Sequence, residues 1–303
     1  MGWIAFVLIV CSAGLHASWN LVAKKNRMTI PFYTLICSTS ALLWVHVQFW
    51  TPVSFRAAPA IFWIMIGASV MSDVVYCSGL VMSYRRMEMA TAYPVMRALP
   101  IILTALATSL LGWGKPLGFY SCLGFFIVFV GALLIPLNHF SDFKLSQYLN
   151  RNTFFILVVA CGTTGYTIFD KQALAALEKF VPADISAPVR SLSYYSTRGL
   201  LLSATLWTIS LILPPLRREI MQFKDPHMLK SGMLAGFFAS LCYSLVLIAM
   251  NYVTNVSYVQ VFRQLGLPIG MGLGVLILKE HCTLTKVLGV ILILSGLAIS
   301  VIP

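Results

Sequence analysis

Residues 67–131 read GASVMSDVVYCSGLVMSYRRMEMATAYPVMRALPIILTALATSLLGWGKPLGFYSCLGFFIVFVG, and residues 232–296 can be laid over them without a gap, at an offset of 165 positions. Gly67 then falls on Gly232, Cys77 on Cys242, Val81 on Val246, Tyr93 on Tyr258, Leu111 on Leu276, Gly124 on Gly289 and Gly131 on Gly296. Chance identities are common in apolar sequence, so the shared hydropathy and the paired glycines carry the inference. Both stretches consist largely of membrane-length apolar runs, and internal repeats of this kind are a usual construction of secondary transporters.

The composition agrees with a life in lipid. The chain has 303 residues, 59% of them hydrophobic and 10% charged, with a mean hydropathy of +0.87, where a soluble domain carries about 25% charged residues. Ten apolar segments of bilayer-spanning length run near 3–23, 30–50, 60–83, 88–111, 116–136, 153–176, 191–213, 230–251, 256–278 and 284–302. The connections are too short for a soluble enzymatic domain. The first segment lacks a basic start and carries Ser12, His16, Ser18 and Asn20, so it reads as a retained helix, not a cleaved signal. The seven cysteines are scattered singly, with no C-x-x-C, and suggest neither a disulfide framework nor a metal site.

A net charge of +12 would suit nucleic acid on a soluble face, but here the basic residues sit in short loops. Loops after the odd-numbered segments hold Lys24, Lys25, Arg27, Arg85, Arg86, Lys144, Arg151, Arg217, Arg218, Lys224, Lys230, Lys279 and Lys286. The opposite loops hold Arg56, Lys115, Lys171, Lys179 and Arg190. Basic loops stay on the cytoplasmic side, so the bias places both termini outside.

The expected fold is therefore an all-α integral membrane protein of ten transmembrane helices in two five-helix repeats, 1–136 and 153–303, joined by a linker at 137–152. An odd number of spans per repeat inverts the second copy relative to the first. Near the start of each half the offset falls to about 150, which sets His16 over Tyr166 and Asn20 over Asp170. Gly266, Gly270 and Gly274 recur on one helical face, as do Gly124 with Gly131 and Gly289 with Gly296, and small residues let helix backbones approach. Pro94, Pro100 and Pro268 lie within spans as kinks or hinges.

Asp73, Arg97, Asp170, Lys171, Arg198 and Arg263 all fall within apolar segments. Each central charge costs about 2.5–3.5 kcal/mol to insert, so such groups face one another or a watery cavity. Arg97 and Arg263 are one residue out of register by the repeat, just after the paired Tyr93 and Tyr258. Two guanidiniums converging from symmetric helices would grip a carboxylate or phosphate through paired donors. The expected substrate-binding set is Arg97, Arg263, Tyr93, Tyr258, His16, Asn20 and Tyr166, with Asp73 and Asp170 as proton-coupling or ion-pair groups. The structural alternative pairs Arg97 with Asp73 and Arg263 with Asp170. Other aromatic residues, including Tyr76, Tyr84, Tyr243 and Trp19, are pocket walls or interfacial anchors.

The runs GLHASWNLVAKK at 14–25, TAYPVMRALP at 91–100, VSYVQVFR at 256–263 and LILKEH at 276–281, with the two five-helix halves, resemble the EamA-type branch of the drug/metabolite transporter superfamily. The resemblance covers essentially the whole chain. It implies a secondary carrier of small metabolites working by alternating access around a cavity between the halves. Such proteins commonly carry a glutamate after the fourth helix of each repeat; this chain has Glu280 in the second half and Lys115 in the first. Plastid sugar-phosphate carriers of the superfamily bind phosphate with basic residues on the fourth and ninth helices, where Arg97 and Arg263 fall.

These readings lead to a secondary transporter, an exporter or exchanger, of a small polar metabolite with an acidic group, in a bacterial inner membrane. A flippase for a lipid-linked sugar is the alternative within transport, and a membrane-embedded enzyme the alternative outside it. The chain has no H-E-x-x-H and no G-x-S-x-G with a partnered base, so no enzymatic activity, cofactor or metal is expected. The expected partners are the small-molecule substrate and the lipid bilayer, with protons exchangeable at Asp73, Asp170 and His16, no nucleic acid, and a monomeric or homodimeric state.

Overall fold

Helix starts are written into the loops. The Thr29 hydroxyl accepts the Phe32 amide at 3.2 Å, and Pro31 sits in the first turn, where its missing N–H leaves nothing unpaired. Asp225 accepts the His227 amide at 2.9 Å, ahead of Pro226, in the same way. The computed structural model describes residues 2–24, 26, 28–55, 58–87, 89–143, 151–279 and 281–302. Its helices are α1 (Trp3–Lys24), α2 (Ile30–Trp44), α3 (Val47–Trp50), α4 (Ala60–Arg86), α5 (Met89–Leu111), α6 (Phe119–Leu134), α7 (Thr153–Phe180), α8 (Ala187–Ile212), α9 (Pro214–Glu219), α10 (Pro226–Met250), α11 (Ser257–Phe262), α12 (Gly266–Leu278) and α13 (Leu284–Ser300). Among the described residues there is no strand.

Among the described residues, four stretches are long and apolar enough to cross a bilayer: Ile30–Phe49, Ala60–Arg86, Thr153–Phe180 and Pro226–Met250. Ala187–Ile212 with Pro214–Lys224, bent by 100°, makes a fifth, and Trp3–Trp19, Val95–Leu111, Phe119–Leu134 and Leu284–Ser300 are shorter apolar helices. The distribution of side chains suits lipid. Phe49, Leu110 and Leu276 are more than 80% exposed on the outside, whereas Ser69, Thr104, Thr167, Asp170, Ser193 and Ser240 are fully buried. In water such outward apolar surface would drive association; in hydrocarbon it is matched, and the polar groups must find partners inside.

Several boundaries differ from the sequence expectation. The helix expected from 191 begins at Ala187, because Pro188 is tolerated in a first turn. Arg190 is thus a buried helical residue and not a loop charge; it donates to the Ile185 carbonyl at 3.0 Å and to Glu178 at 2.9 Å. Lys171, counted with the loop charges although it falls in the sixth apolar segment, lies within α7, as that segment implies. The ninth apolar segment is not one helix: a tight 3₁₀ turn at Arg263–Leu265 separates α11 from α12. Pro268 explains the break, since it cannot donate to the carbonyl four residues back and its ring crowds that turn. In contrast α5 runs unbroken through Pro100; the side chain of Pro94 lies outside the described residues.

The helices pack as crossed pairs: α4 on α7, α1 on α10, α6 on α13, and α2 on both α8 and α10. Glycine sets the close crossing of α6 with α13. A methyl group at Gly131 would lie 2.8 Å from the Gly289 carbonyl, and one at Gly289 2.9 Å from the Gly131 carbonyl; Gly124 and Gly296 meet in the same reciprocal way one level along. The α6 and α13 backbones thus touch directly at two levels. A large side chain there has nowhere to go, since overpacking a close crossing costs about 1–3 kcal/mol. Gly296→Leu is expected to lower the melting temperature of the purified protein, while Gly67→Leu, where nothing lies within 4 Å, leaves it unchanged; equal melting of the two variants would mean that the crossing does not hold the bundle.

Candidate functional site

Arg198 on α8 is 2% exposed, and its charge is met from two other helices. Its Nη2 donates to Asp73 Oδ2 on α4 at 2.8 Å, and its Nε to Asp170 Oδ1 on α7 at 3.0 Å and to Ser69 Oγ at 2.8 Å. Asp73 Oδ1 also accepts the Tyr33 hydroxyl at 2.9 Å. Asp170, fully buried, is saturated further: Oδ1 accepts Tyr194 at 2.6 Å and Ser69, and Oδ2 accepts Tyr243. Charge-assisted bonds of this number and geometry are what a buried ion cluster requires to persist in a low-dielectric interior.

This cluster corrects the structural alternative drawn from the sequence. Asp73 and Asp170 are paired, but with Arg198, not with Arg97 and Arg263. Arg198 has no charged counterpart in the first half, so the repeat could not point to it. The two symmetric arginines are left for another purpose.

Both of them line a cavity of about 390 Å³. His16 and Trp19 of α1, Tyr76 and Tyr84 of α4, Tyr93 and Arg97 of α5, and Thr163 and Tyr166 of α7 form its walls, with Gln260 and Arg263 closing the side toward α11. Asn26, Met28 and Arg85 belong to the same lining. They sit at or beside the loops after the first and third apolar segments, so this mouth faces the basic side of the chain. Arg85 is paired there with Glu219. A smaller lobe of about 100 Å³ shares His16, Trp19, Tyr76, Tyr166 and Arg263 and reaches Asp73 and Arg198. The cavity therefore ends on the ion cluster.

Arg97 is held by its surroundings and still has capacity to spare. Its Nη2 donates to the Arg263 carbonyl at 3.0 Å, a carbonyl of the 3₁₀ turn, and Gln264 Nε2 donates back to the Arg97 carbonyl at 3.1 Å. Its Nη1 lies 2.9 Å from His16 Nε2, while Trp19 Nε1 donates to His16 Nδ1 at 3.0 Å. Its Nε is buried with no hydrogen-bond partner. Arg263 reaches Gln260 Oε1 at 3.5 Å and lies 5.9 Å from the ring of Tyr243, whose other neighbour, Arg198, is 5.4 Å from that ring. Among the described residues neither Arg97 nor Arg263 has a carboxylate partner.

Of the residues expected to bind substrate, Arg97, Arg263, Tyr93, His16 and Tyr166 line one cavity. Tyr258 does not. Its hydroxyl is 2.7 Å from Ser121 and its ring stands edge-on to Phe125, against α6. Tyr258 lies in α11, ahead of the 3₁₀ turn, and faces α6 instead of the cavity. The Asn20 side chain and Glu280 lie outside the described residues. Trp19, Tyr76 and Tyr243, read from the sequence as pocket walls or interfacial anchors, line the cavity or its inner lobe, and Gln260 was not singled out; Trp19 and Tyr76 stand three residues after His16 and Asp73, a spacing that shares a helical face.

Beyond the ion cluster, hydrogen bonds tie α7, the end of α10 and the loop before α6 together. Lys171 Nζ donates to the carbonyls of Met250 at 2.6 Å and Val253 at 3.2 Å. Asn255 Nδ2 donates to the Lys115 carbonyl at 3.1 Å, and the Lys115 amide to the Thr254 carbonyl at 3.1 Å. Gly114 has φ of +121°, and a side chain on it would strike the Thr254 carbonyl at 2.9 Å, so only glycine fits this closure.

No family model and no curated protein matches the sequence. The chain is similar in fold to a solved structure described only as "Crystal structure of protein", with a TM-score of 0.68 and 13% identity, over 98% of this chain and 95% of that one. At that identity the likeness is one of fold alone.

Removing one partner of a buried ion cluster strands the others at a cost of about 3–5 kcal/mol. Arg198→Gln is therefore expected to abolish recovery of folded protein in detergent, read by size exclusion, whereas Arg97→Gln, which strands no carboxylate, elutes as the parent does. Loss of both variants alike would mean that Arg97 too is a structural cation.

Proposed function

We propose that the protein is a secondary transporter of ten transmembrane spans, moving a small polar metabolite with an acidic group across a bacterial inner membrane by alternating access. The observation that carries this reading is the pair Arg97 and Arg263: two guanidiniums on one cavity, neither with a carboxylate partner among the described residues, and one with a buried, unpartnered Nε. An uncompensated cation in a low-dielectric interior is costly and a cargo anion relieves it. The aromatic walls add apolar contact for the rest of the molecule, and a volume near 390 Å³ falls within the range of small-ligand sites.

The inverted-repeat architecture, with halves 1–136 and 153–303, is supported by the packing. If α1 corresponds to α7 and α4 to α10, the pairs α4–α7 and α1–α10 exchange under the repeat, and α6–α13 maps onto itself through reciprocal glycines. The break in the ninth span at the cavity also favours a carrier, because irregular backbone is tolerated at membrane depth only where it is buried in protein or lines a cavity. With the basic side cytoplasmic, the cavity opens inward and the Lys171 seal faces outward. Alternating access then means breaking the bonds of Lys171 to the carbonyls of Met250 and Val253 while closing the mouth around Tyr84 and Arg85.

Thermal stabilisation of the purified protein by a panel of carboxylates, phosphate esters, phosphonates, amines and neutral sugars tests this reading. At least one anion is expected to raise the melting temperature of the parent protein and of neither Arg97→Gln nor Arg263→Gln. Stabilisation by amines or lipid-linked sugars only, unchanged in both variants, would replace it with a different cargo and a different site.

A further inference from the structure

The charges that face the cavity fix more than the sign of the cargo. Arg85, Arg97, Arg198 and Arg263 line its two lobes, and Asp73 borders the inner one. Behind them Asp170 holds Arg198, and Glu219 holds Arg85. His16 is counted as neutral: its Nε2 lies 2.9 Å from the Arg97 guanidinium, which only donates, so an imidazolium would turn an N–H toward a cation, while its Nδ1 stands between the Trp19 indole at 3.0 Å and Cys242 Sγ at 3.9 Å. Among the described residues, four guanidiniums thus stand against three carboxylates.

The surplus is also localised. Arg85 and Glu219 cancel at the mouth. At the floor, Arg198 carries two carboxylates, which leaves one negative charge there. Arg263 offsets that charge through Tyr243, whose ring lies 5.9 Å from the Arg263 guanidinium and 5.4 Å from that of Arg198, while its hydroxyl donates to Asp170. Arg97, with its unpartnered Nε, is left over.

We infer that the cavity is built for a cargo bearing one net negative charge, a carboxylate or a singly protonated phosphoryl group, and that a doubly charged anion binds only together with a proton. The inference rests on the transporter reading above and sharpens it. A loaded site that is neutral overall is the least costly to carry through a low-dielectric interior, and either missing or excess charge raises that cost. The two guanidiniums allow bidentate recognition of one oxyanion head without requiring two charges on it, since Arg263 is already engaged with the cluster.

Fixed-charge anions make the test direct. Methanesulfonate carries one negative charge and sulfate two at every working pH, while methyl phosphate passes from one to two near about pH 6. Binding is read on the purified full chain by quenching of tryptophan fluorescence, with Trp19 in the cavity wall. Methanesulfonate is expected to bind equally at pH 5 and pH 8, sulfate at least about tenfold more weakly, and methyl phosphate at least about tenfold more weakly at pH 8 than at pH 5. Gln260→Glu adds a fourth carboxylate beside Arg263 and is expected to abolish methanesulfonate binding without lowering the melting temperature. Asp73→Asn, where it folds, reverses the preference toward sulfate. Glycolate at pH 7, compared with methyl phosphate at pH 5, tells a carboxylate cargo from a phosphoryl one, and tighter binding of either supports the inference. Sulfate binding more tightly than methanesulfonate, or methyl phosphate binding more tightly as pH rises, overturns it while leaving an anion carrier in place. Binding of none of these anions overturns both.

Discussion

A charge in hydrocarbon must be met by another charge, and the contact of Arg198 with Asp73 and Asp170 is where this chain meets that requirement. Three helices, α4, α7 and α8, are tied at that point, and α2 and α10 join through the hydroxyls of Tyr33 and Tyr243. Dispersion and small-residue packing hold helices together in lipid without a strong apolar drive. A buried ion cluster adds what packing lacks, because it is satisfied in one arrangement only and every other arrangement leaves a bare charge. The register of half the bundle follows from it.

The same cluster decides what the cavity can do. Had Arg97 and Arg263 taken the two aspartates, the interior would hold matched pairs and no reason to admit an anion. Because Arg198 takes both, the symmetric arginines stay available to the cavity. On the proposed reading, a structural cation on α8 thereby gives the site its sign, although Arg198 reaches only the inner lobe.

Much of this was legible from residues alone. Membrane-length apolar runs, glycines seven apart at 124 and 131 and at 289 and 296, and arginines in equivalent spans are local or periodic signals, and the close crossing of α6 with α13 and the convergence of Arg97 with Arg263 follow them. Less legible was what depends on three-dimensional choice between equivalent partners. The sequence offered two acids and three arginines within spans, and nothing in their spacing selects Arg198 as the common partner. Tyr258 was misplaced for a related reason. The overlay assumes one unbroken helix in both stretches, whereas the ninth apolar segment breaks at Arg263–Leu265, so Tyr258 in α11 and Arg263 in the turn do not share the helical phase that Tyr93 and Arg97 share in α5. Arg190, and Lys171 although it falls in the sixth apolar segment, were counted with the loop charges because long basic side chains near a span end ordinarily reach for water; here they reach backbone carbonyls instead.

That last contact joins the site to the seal. Tyr166, Asp170 and Lys171 stand within six residues of α7, the first in the cavity wall, the second in the ion cluster and the third on the carbonyls of Met250 and Val253. On the facing helix, Tyr243 bonds to Asp170 and the Met250 carbonyl accepts Lys171, seven residues or about two turns further on; the four-carbon stem of lysine spans the difference. Gly162 and Gly165 press α7 against the α4 residues Tyr76 and Ser72, so closely that a methyl at Gly162 would lie 2.7 Å from the Tyr76 Cα. Helices in such contact shift together or not at all, because close-packed surfaces have few alternative fits. A displacement of α7 that parts Lys171 from α10 must therefore also move Tyr166 in the cavity and Asp170 beneath Arg198. On the proposed reading, parting Lys171 from α10 disturbs the charge balance around the cargo, which is the constraint a carrier needs if its two ends are not to open at once.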